Sequence, residues 1–163
     1  MLDNCWIRGK WIAVQFCKIV TGESPSHKIW EDEDHLAFLS IYPNTEAFTV
    51  VITKEHYPSY AFDLPDEVLS NLILASKKVG KLLDSKLDDV GRTGLILEGF
   101  GVDHFHSKLF PMHGTGHLKG FKQMSSNVDK YFEKYEGYIS SHDYKRENDE
   151  KLARLAAEIF YKS

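Results

Sequence analysis

The chain is poor in cysteine and proline and contains no long apolar run. Its two cysteines, Cys5 and Cys17, are too few for a disulfide framework and form no C-x-x-C pair, so free thiols in a reducing compartment, the cytoplasm, are expected. No stretch approaches the roughly 18 unbroken apolar residues of a membrane-spanning helix. The nearest thing to a signal peptide, Trp11 to Cys17, is interrupted by Gln15, follows the acidic Asp3 and precedes no small-residue cleavage site. Charge of one sign is scarce as well: 20 Lys+Arg against 24 Asp+Glu leave a net charge of −4 and no broad basic footprint. Neither a membrane nor duplex nucleic acid is expected as a partner.

With 163 residues, 42% of them hydrophobic, the chain is long enough for one domain that buries roughly 70% of its unfolded surface, and too apolar for disorder. Lys28 to Glu31 and His35 to Ile41 are apolar-rich runs separated by Asp32, Glu33 and Asp34, which predicts a hairpin with an acidic turn. Phe48 to Thr53, rich in β-branched residues, reads as a further strand after the turn Tyr42-Pro43-Asn44. From Asp63 the apolar spacing becomes helical, with Val68, Leu69, Leu72, Ile73, Val79, Leu82 and Leu83 on one stripe. Asp63-Leu-Pro-Asp is its start signal. Gly94 to Glu98 and His104 to Phe110 read as two more strands, joined by a short glycine-bearing loop, in a mixed sheet with one long helix. Beyond Gly120, Val128, Tyr131, Phe132 and Tyr135 fall at helical spacing up to Gly137, and Leu152, Leu155, Ala156, Ile159 and Phe160 mark a second helix. Strands with segregated helices indicate an α+β fold.

What the chain has in excess is histidine: eight in all, with His104, His106, His113 and His117 inside fourteen residues. On a strand alternate side chains share a face, so His104, His106, Lys108 and Phe110 line one side while Phe105, Ser107 and Leu109 line the other. Two imidazoles and an ammonium on one surface suit phosphoryl transfer. A neutral imidazole attacks the electrophile, and the neighbouring cation stabilises negative charge on a phosphoryl oxygen. The preceding loop, Glu98-Gly-Phe-Gly-Val-Asp103, has glycines that let backbone N–H groups approach phosphate.

Plainer readings of these residues stay open. His104 and His106 can be hydrogen-bonded sheet histidines, or can form a zinc site with His113 or His117 and a carboxylate from Asp103 or Glu98. Lys108 can be a solvated strand lysine. His113 either replaces a catalytic function or ends the strand in a glycine-rich turn. His56 reads as a strand-end residue, His27, His35 and His142 as surface or capping groups, and Cys17 as buried. The stripe Tyr131, Phe132, Tyr135 is either packing or a nucleobase contact.

Five segments in order carry a resemblance: Phe16-Cys-Lys-Ile-Val-Thr-Gly-Glu, His27-Lys-Ile-Trp-Glu-Asp-Glu, Lys54-Glu-His-Tyr, Phe62-Asp-Leu-Pro-Asp-Glu and His104-Phe-His-Ser-Lys-Leu-Phe-Pro. Together, from about residue 14 to residue 113, they resemble the histidine-triad (HIT) superfamily of nucleotide hydrolases and transferases. The resemblance implies a HIT-like α+β domain over residues 1–120, with an antiparallel sheet of about five strands and one long helix, usually a homodimer, and with residues 121–163 as a C-terminal helical extension packed on the same domain. It implies His106 as the nucleophile that becomes a transient nucleotidyl-histidine, His104 as the first triad position and Lys108 at the third. Ser40, Asn44, Gly99, Gly101, Asp103 and His113 are the expected substrate contacts.

Several positions depart from the family pattern. The third triad histidine is Lys108, the usual histidine of an earlier strand is Phe48, and the ribose-holding aspartate falls on Ser40. The first cysteine of the zinc-bearing members falls on Val14, with Cys17 as the second. No structural zinc and no other required cofactor is therefore expected. Lys108 suits a phosphate clamp better than a general acid, because its reference pKa of about 10.4 lies far from neutral. A phosphate leaving group departs without a proton, whereas an amine must be protonated. The expectation is a hydrolase of a nucleotide phosphoanhydride, such as a dinucleoside polyphosphate or nucleotide conjugate. A nucleotidyltransferase or phosphorylase, and a non-catalytic nucleotide-binding protein, are the alternatives.

Overall fold

The computed structural model describes residues 5–7, 10–12, 14–118, 120–140 and 144–160, with the backbone alone for 5–7 and 10–12. Asp3, the Cys5 side chain and His142 lie outside the described residues. Two short strands, β1 (Cys5–Ile7) and β2 (Lys10–Ile12), pair antiparallel. They are followed by α1 (Gln15–Thr21), β3 (His27–Glu31), β4 (His35–Leu39), β5 (Thr49–Thr53), α2 (Asp66–Lys86), β6 (Thr93–Ile96), β7 (His106–Pro111) and α3 (Asp149–Ile159). β3 to β7 make one antiparallel sheet in the order β3-β4-β5-β7-β6, the α+β arrangement expected. Among the described residues no helix is long and apolar enough to cross a membrane.

The β3–β4 hairpin turns at its acidic residues because Asp32 Oδ1 accepts the Asp34 and His35 N–H groups at 3.1 and 2.8 Å. β4 and β5 are buried along their whole length, since both faces of the sheet are covered. One face packs Ile29, Ala37, Leu39, Val51 and Leu109 against Leu72, Ala75, Val79 and Leu83 of α2 and against Leu152, Ala156 and Ile159 of α3. Ser76 of α2 and Ser107 of β7, with hydroxyl oxygens 2.7 Å apart, supply a polar tie across that seam. On the other face Leu36, Phe38, Val50 and Ile52 pack with Phe48 against Phe16 of α1. Strand alternation then puts His106, Lys108 and Phe110 on the α1 side, opposite the long helix.

The seven-residue α1 is not evident from the sequence, where its segment reads only as an apolar run. Buried Phe16 and Cys17 hold it on the sheet. Gly22, at φ 80°, closes it in the left-handed conformation that glycine alone adopts without penalty.

Four local expectations change. α2 begins at Asp66, after a 3-10 turn over Ala61–Asp63, and Pro65 occupies its capping position without a side-chain cap. β7 starts at His106 rather than His104. The helix expected over Val128 to Tyr135 is not formed. Val128 and Tyr131 are 81% and 85% exposed, and an apolar stripe with nothing to bury against does not hold a helix in water. The rings stack instead, Phe132 on Tyr138 at 4.2 Å and Tyr135 on Phe100 at 5.7 Å. Finally, Cys17 does not have the free thiol expected of it: it is disulfide-bonded. Counting cysteines for a multi-bridge framework gives no weight to a single bond.

Candidate functional site

β7 delivers His106 and Lys108 to a pocket of about 160 Å³ on the α1 face. Its apolar wall comes from Phe16 and Ile19 of α1, Phe38 of β4, Val50 of β5 and Val102, and its rim from Gln15, Ser26, Ser40, Tyr42 and Gly101. Among the described residues no carboxylate lines it, and Lys108 is the only lysine or arginine of its lining. The pocket therefore suits a ligand with a flat apolar part and an anionic end.

The tautomer of His106 is fixed by the backbone. Its Nδ1 lies 2.6 Å from the His104 carbonyl oxygen, an acceptor only, so Nδ1 donates and the neutral ring has its lone pair on Nε2. The Phe16 ring stands edge-on to the imidazole at 5.2 Å and restricts its rotation. His104 is placed differently from its sequence neighbour. It is fully buried, its Nε2 donates to the Thr53 carbonyl at 2.7 Å, and burial pushes its pKa down to about 4, so the ring is neutral. His104 does not line the pocket; it serves the site through its carbonyl.

Lys108 sits opposite Val50 of β5 and Ile96 of β6 and forms an ion pair with Glu98. Both side chains are buried, at 3% and 5% exposure, and burial lowers the lysine pKa. The second Glu98 oxygen accepts the Phe100 N–H at 2.8 Å. The loop from Glu98 to Asp103 is thus tied down by its own carboxylate.

The HIT domain family profile matches residues 21–114. The chain belongs to the HIT family. It is 36% identical over 119 residues to an uncharacterized HIT-like protein of Methanocaldococcus jannaschii, an alignment covering 70% of this chain and 90% of that protein. It is 35% identical over 127 residues to an adenosine 5'-monophosphoramidase of Candida albicans, covering 71% of this chain and 82% of that one. In fold it is similar to a hypothetical histidine triad nucleotide-binding protein of Sulfolobus tokodaii, with a TM-score of 0.65 and 21% identity over 89% of this chain and 88% of the other.

Of the residues singled out for this HIT chain, His106, Lys108, Ser40 and Gly101 meet in the pocket and the others do not. Ser40 Oγ also accepts the Tyr42 N–H at 3.1 Å. Asn44 lies exposed in its turn. Asp103 accepts the Ser59 N–H at 3.0 Å, and Gly99, at φ 71°, packs so closely on Ser59 that a Cβ would stand 2.7 Å from its carbonyl oxygen. His113 bridges the Asp89 carboxylate and the Glu46 carbonyl, each at 3.0 Å. His117 is exposed.

The four clustered histidines therefore do not converge on one ion. Among the described residues the group with metal-ligand spacing is Cys17, His56 and His104, with donor atoms within 4.8 Å of one another. The Cys17 sulfur is 3.6 Å from His56 Nδ1 and 3.4 Å from His104 Nδ1. Zinc binds the anionic thiolate, and a disulfide sulfur lacks that charge, so the group as folded does not fit the ion.

Sequence reasoning named Glu98 as part of a phosphate loop or as a metal ligand and missed its pairing with Lys108. A signal was present: a lysine on an otherwise apolar, doubly covered sheet needs a buried counter-charge. The Phe16 wall was missed because α1 was.

Proposed function

We propose that this HIT-family chain hydrolyses nucleotides, cleaving a phosphoanhydride through a nucleotidyl-His106 intermediate. The observation that carries the reading is the Nδ1–H donation from His106 to the His104 carbonyl, which leaves the Nε2 lone pair to serve as nucleophile in a pocket with one cation. The base occupies the apolar wall formed by Phe16, Ile19 and Phe38. Nε2 attacks the α-phosphorus, a P–N bond forms, and the P–O bond to the leaving phosphate breaks with its electron pair on the departing oxygen. The Lys108 ammonium balances the charge gathering on the phosphoryl oxygens. Water then attacks phosphorus, the P–N bond breaks with its electron pair returning to Nε2, the water's proton passes to solvent, and the nucleoside monophosphate leaves with the neutral ring restored. Each step uses side chains alone and requires no metal.

A second reading, hydrolysis of a nucleoside phosphoramidate, is favoured by relatives named adenosine 5'-monophosphoramidase in Candida albicans, Saccharomyces cerevisiae and Schizosaccharomyces pombe, at 33% to 37% identity. Its amine leaving group must take up a proton, for which a lysine paired with a carboxylate is a poor source. Comparing AMP release from diadenosine polyphosphate and from adenosine 5'-phosphoramidate decides between them: the anhydride is expected to be faster, and an equal or faster phosphoramidate rate overturns the first reading. His106→Ala is expected to lose several orders of magnitude in turnover while still binding AMP. Turnover retained in that variant refutes both.

A further inference from the structure

A lysine ammonium buried in an apolar sheet face is unstable as an ion, because desolvation favours the neutral amine. A neutral amine at the third triad position would bring no charge to a phosphate. Three observations show how the charge is kept. Glu98 Oε1 pairs with Lys108 Nζ, both side chains being almost fully buried. Glu98 Oε2 is occupied by the Phe100 N–H, so the carboxylate cannot swing away without losing that bond. The loop that supplies this N–H is anchored at Ser59 from both ends, by the close approach of Gly99 and by the Asp103 hydrogen bond.

Other groups near Lys108 do not do this work. Val50 and Ile96, its partners on β5 and β6, do not titrate. Phe16 and Ile19 of α1 are apolar, and the titratable groups that share its pocket are His106 and Tyr42, neither of them a carboxylate.

We propose that Glu98 is a positioning residue for the reaction: it keeps Lys108 an ammonium ion and holds that ion at the phosphate end of the pocket, beside His106. The assignment rests on the nucleotide-hydrolase reading above and adds to it a residue outside the triad. It makes the third position a two-residue unit, in which the lysine supplies the charge and the glutamate maintains it.

The test follows Lys108 directly by NMR in protein carrying ¹³Cε-labelled lysine, the resonance being assigned by its loss in Lys108→Arg. In Glu98→Gln the Lys108 titration is expected to fall by about 1–3 pH units, the usual effect of losing an opposite charge in contact. AMP binding by calorimetry should then weaken about tenfold or more above the lowered titration point and stay close to wild type below it. A purely structural role would weaken binding at every pH. An unchanged lysine titration, or a pH-independent loss of AMP affinity, overturns the proposal. Glu98→Asp retains the charge and should restore both curves in part; an aspartate variant that behaves like glutamine also overturns it. If Glu98→Gln does not fold, Glu98→Asp against wild type decides, with curves identical to wild type refuting the assignment. Turnover is not among these readouts. A wild-type protein that hydrolyses no nucleotide refutes the proposed reaction, while binding of AMP and inorganic phosphate still decides the role of Glu98.

Discussion

Replacing Lys108 by methionine removes the positive half of a buried ion pair and leaves Glu98, at 5% exposure, without its counter-ion. Breaking such a pair from one side costs about 3–5 kcal/mol, because the remaining charge must stay desolvated or take up a proton. Glu98 keeps the Phe100 N–H at 2.8 Å, which places the expected loss near the lower end, about 3 kcal/mol. The double variant Lys108→Met/Glu98→Leu removes both charges from the same site. Apolar replacement of a whole buried pair is neutral or stabilising by about 1–4 kcal/mol, so the double variant should regain all that the single one loses. Urea unfolding of the four proteins at pH 7 gives the cycle directly, provided the slope with denaturant stays constant. A single-variant loss below about 1 kcal/mol, the range of exposed pairs, refutes the buried-pair reasoning, as does an additive cycle. The double variant, stable but without its cation, should have lost nucleotide turnover.

Other consequences can be checked separately. Gly80 lies inside α2 and a Cβ there would meet nothing within 4 Å, so Gly80→Ala should stabilise the fold by about 0.5–1 kcal/mol and raise Tm by roughly 1–4 °C; a lower Tm refutes it. For His113, burial disfavours the charged ring, but the Glu46 carbonyl and Asp89 carboxylate outweigh it and raise the pKa. A raised folded-state pKa stabilises fully below the unfolded value of about 6.5 and is lost as pH rises through the folded one, so His113→Ala should lower Tm more near pH 5.5 than near pH 8.5. A pH-independent difference would disprove that. Incubation with a chelator should leave turnover unchanged, since the reaction proposed uses no metal, and loss of activity restored by zinc would contradict it.

Much of the fold was legible because its signals are local. The Asp32 turn, the β-branched run of β5 and the α2 stripe each report on their own neighbourhood, and the helix failed only at its start, where Pro65 took the place intended for Asp63. The stretch from Val128 to Tyr135 shows the limit of periodicity. Helical spacing states which face would be buried, but it does not provide a surface to bury it on, and Tyr131 remains 85% exposed. For α1 the reverse holds: seven residues are too few to form a helix alone, and the sheet face that stabilises Phe16 is assembled from strands later in the chain.

The site divides along the same line. Strand alternation alone placed His106 and Lys108 together, and the structure agrees. It could not place His104, which falls before β7 begins and acts through its carbonyl, nor His113, which the turn after β7 carries to Asp89. The partner of Lys108 required register as well as alternation. Ile96 of β6 stands opposite Lys108, so the residue two positions further along the chain, Glu98, returns to the same side of the sheet just past the strand end. A lysine can therefore occupy this position only if β6 keeps that register and Glu98 keeps its charge. A lysine on this face is thus a feature spanning two strands: a neutral imidazole there would need no counter-ion in an apolar face, whereas an ammonium does.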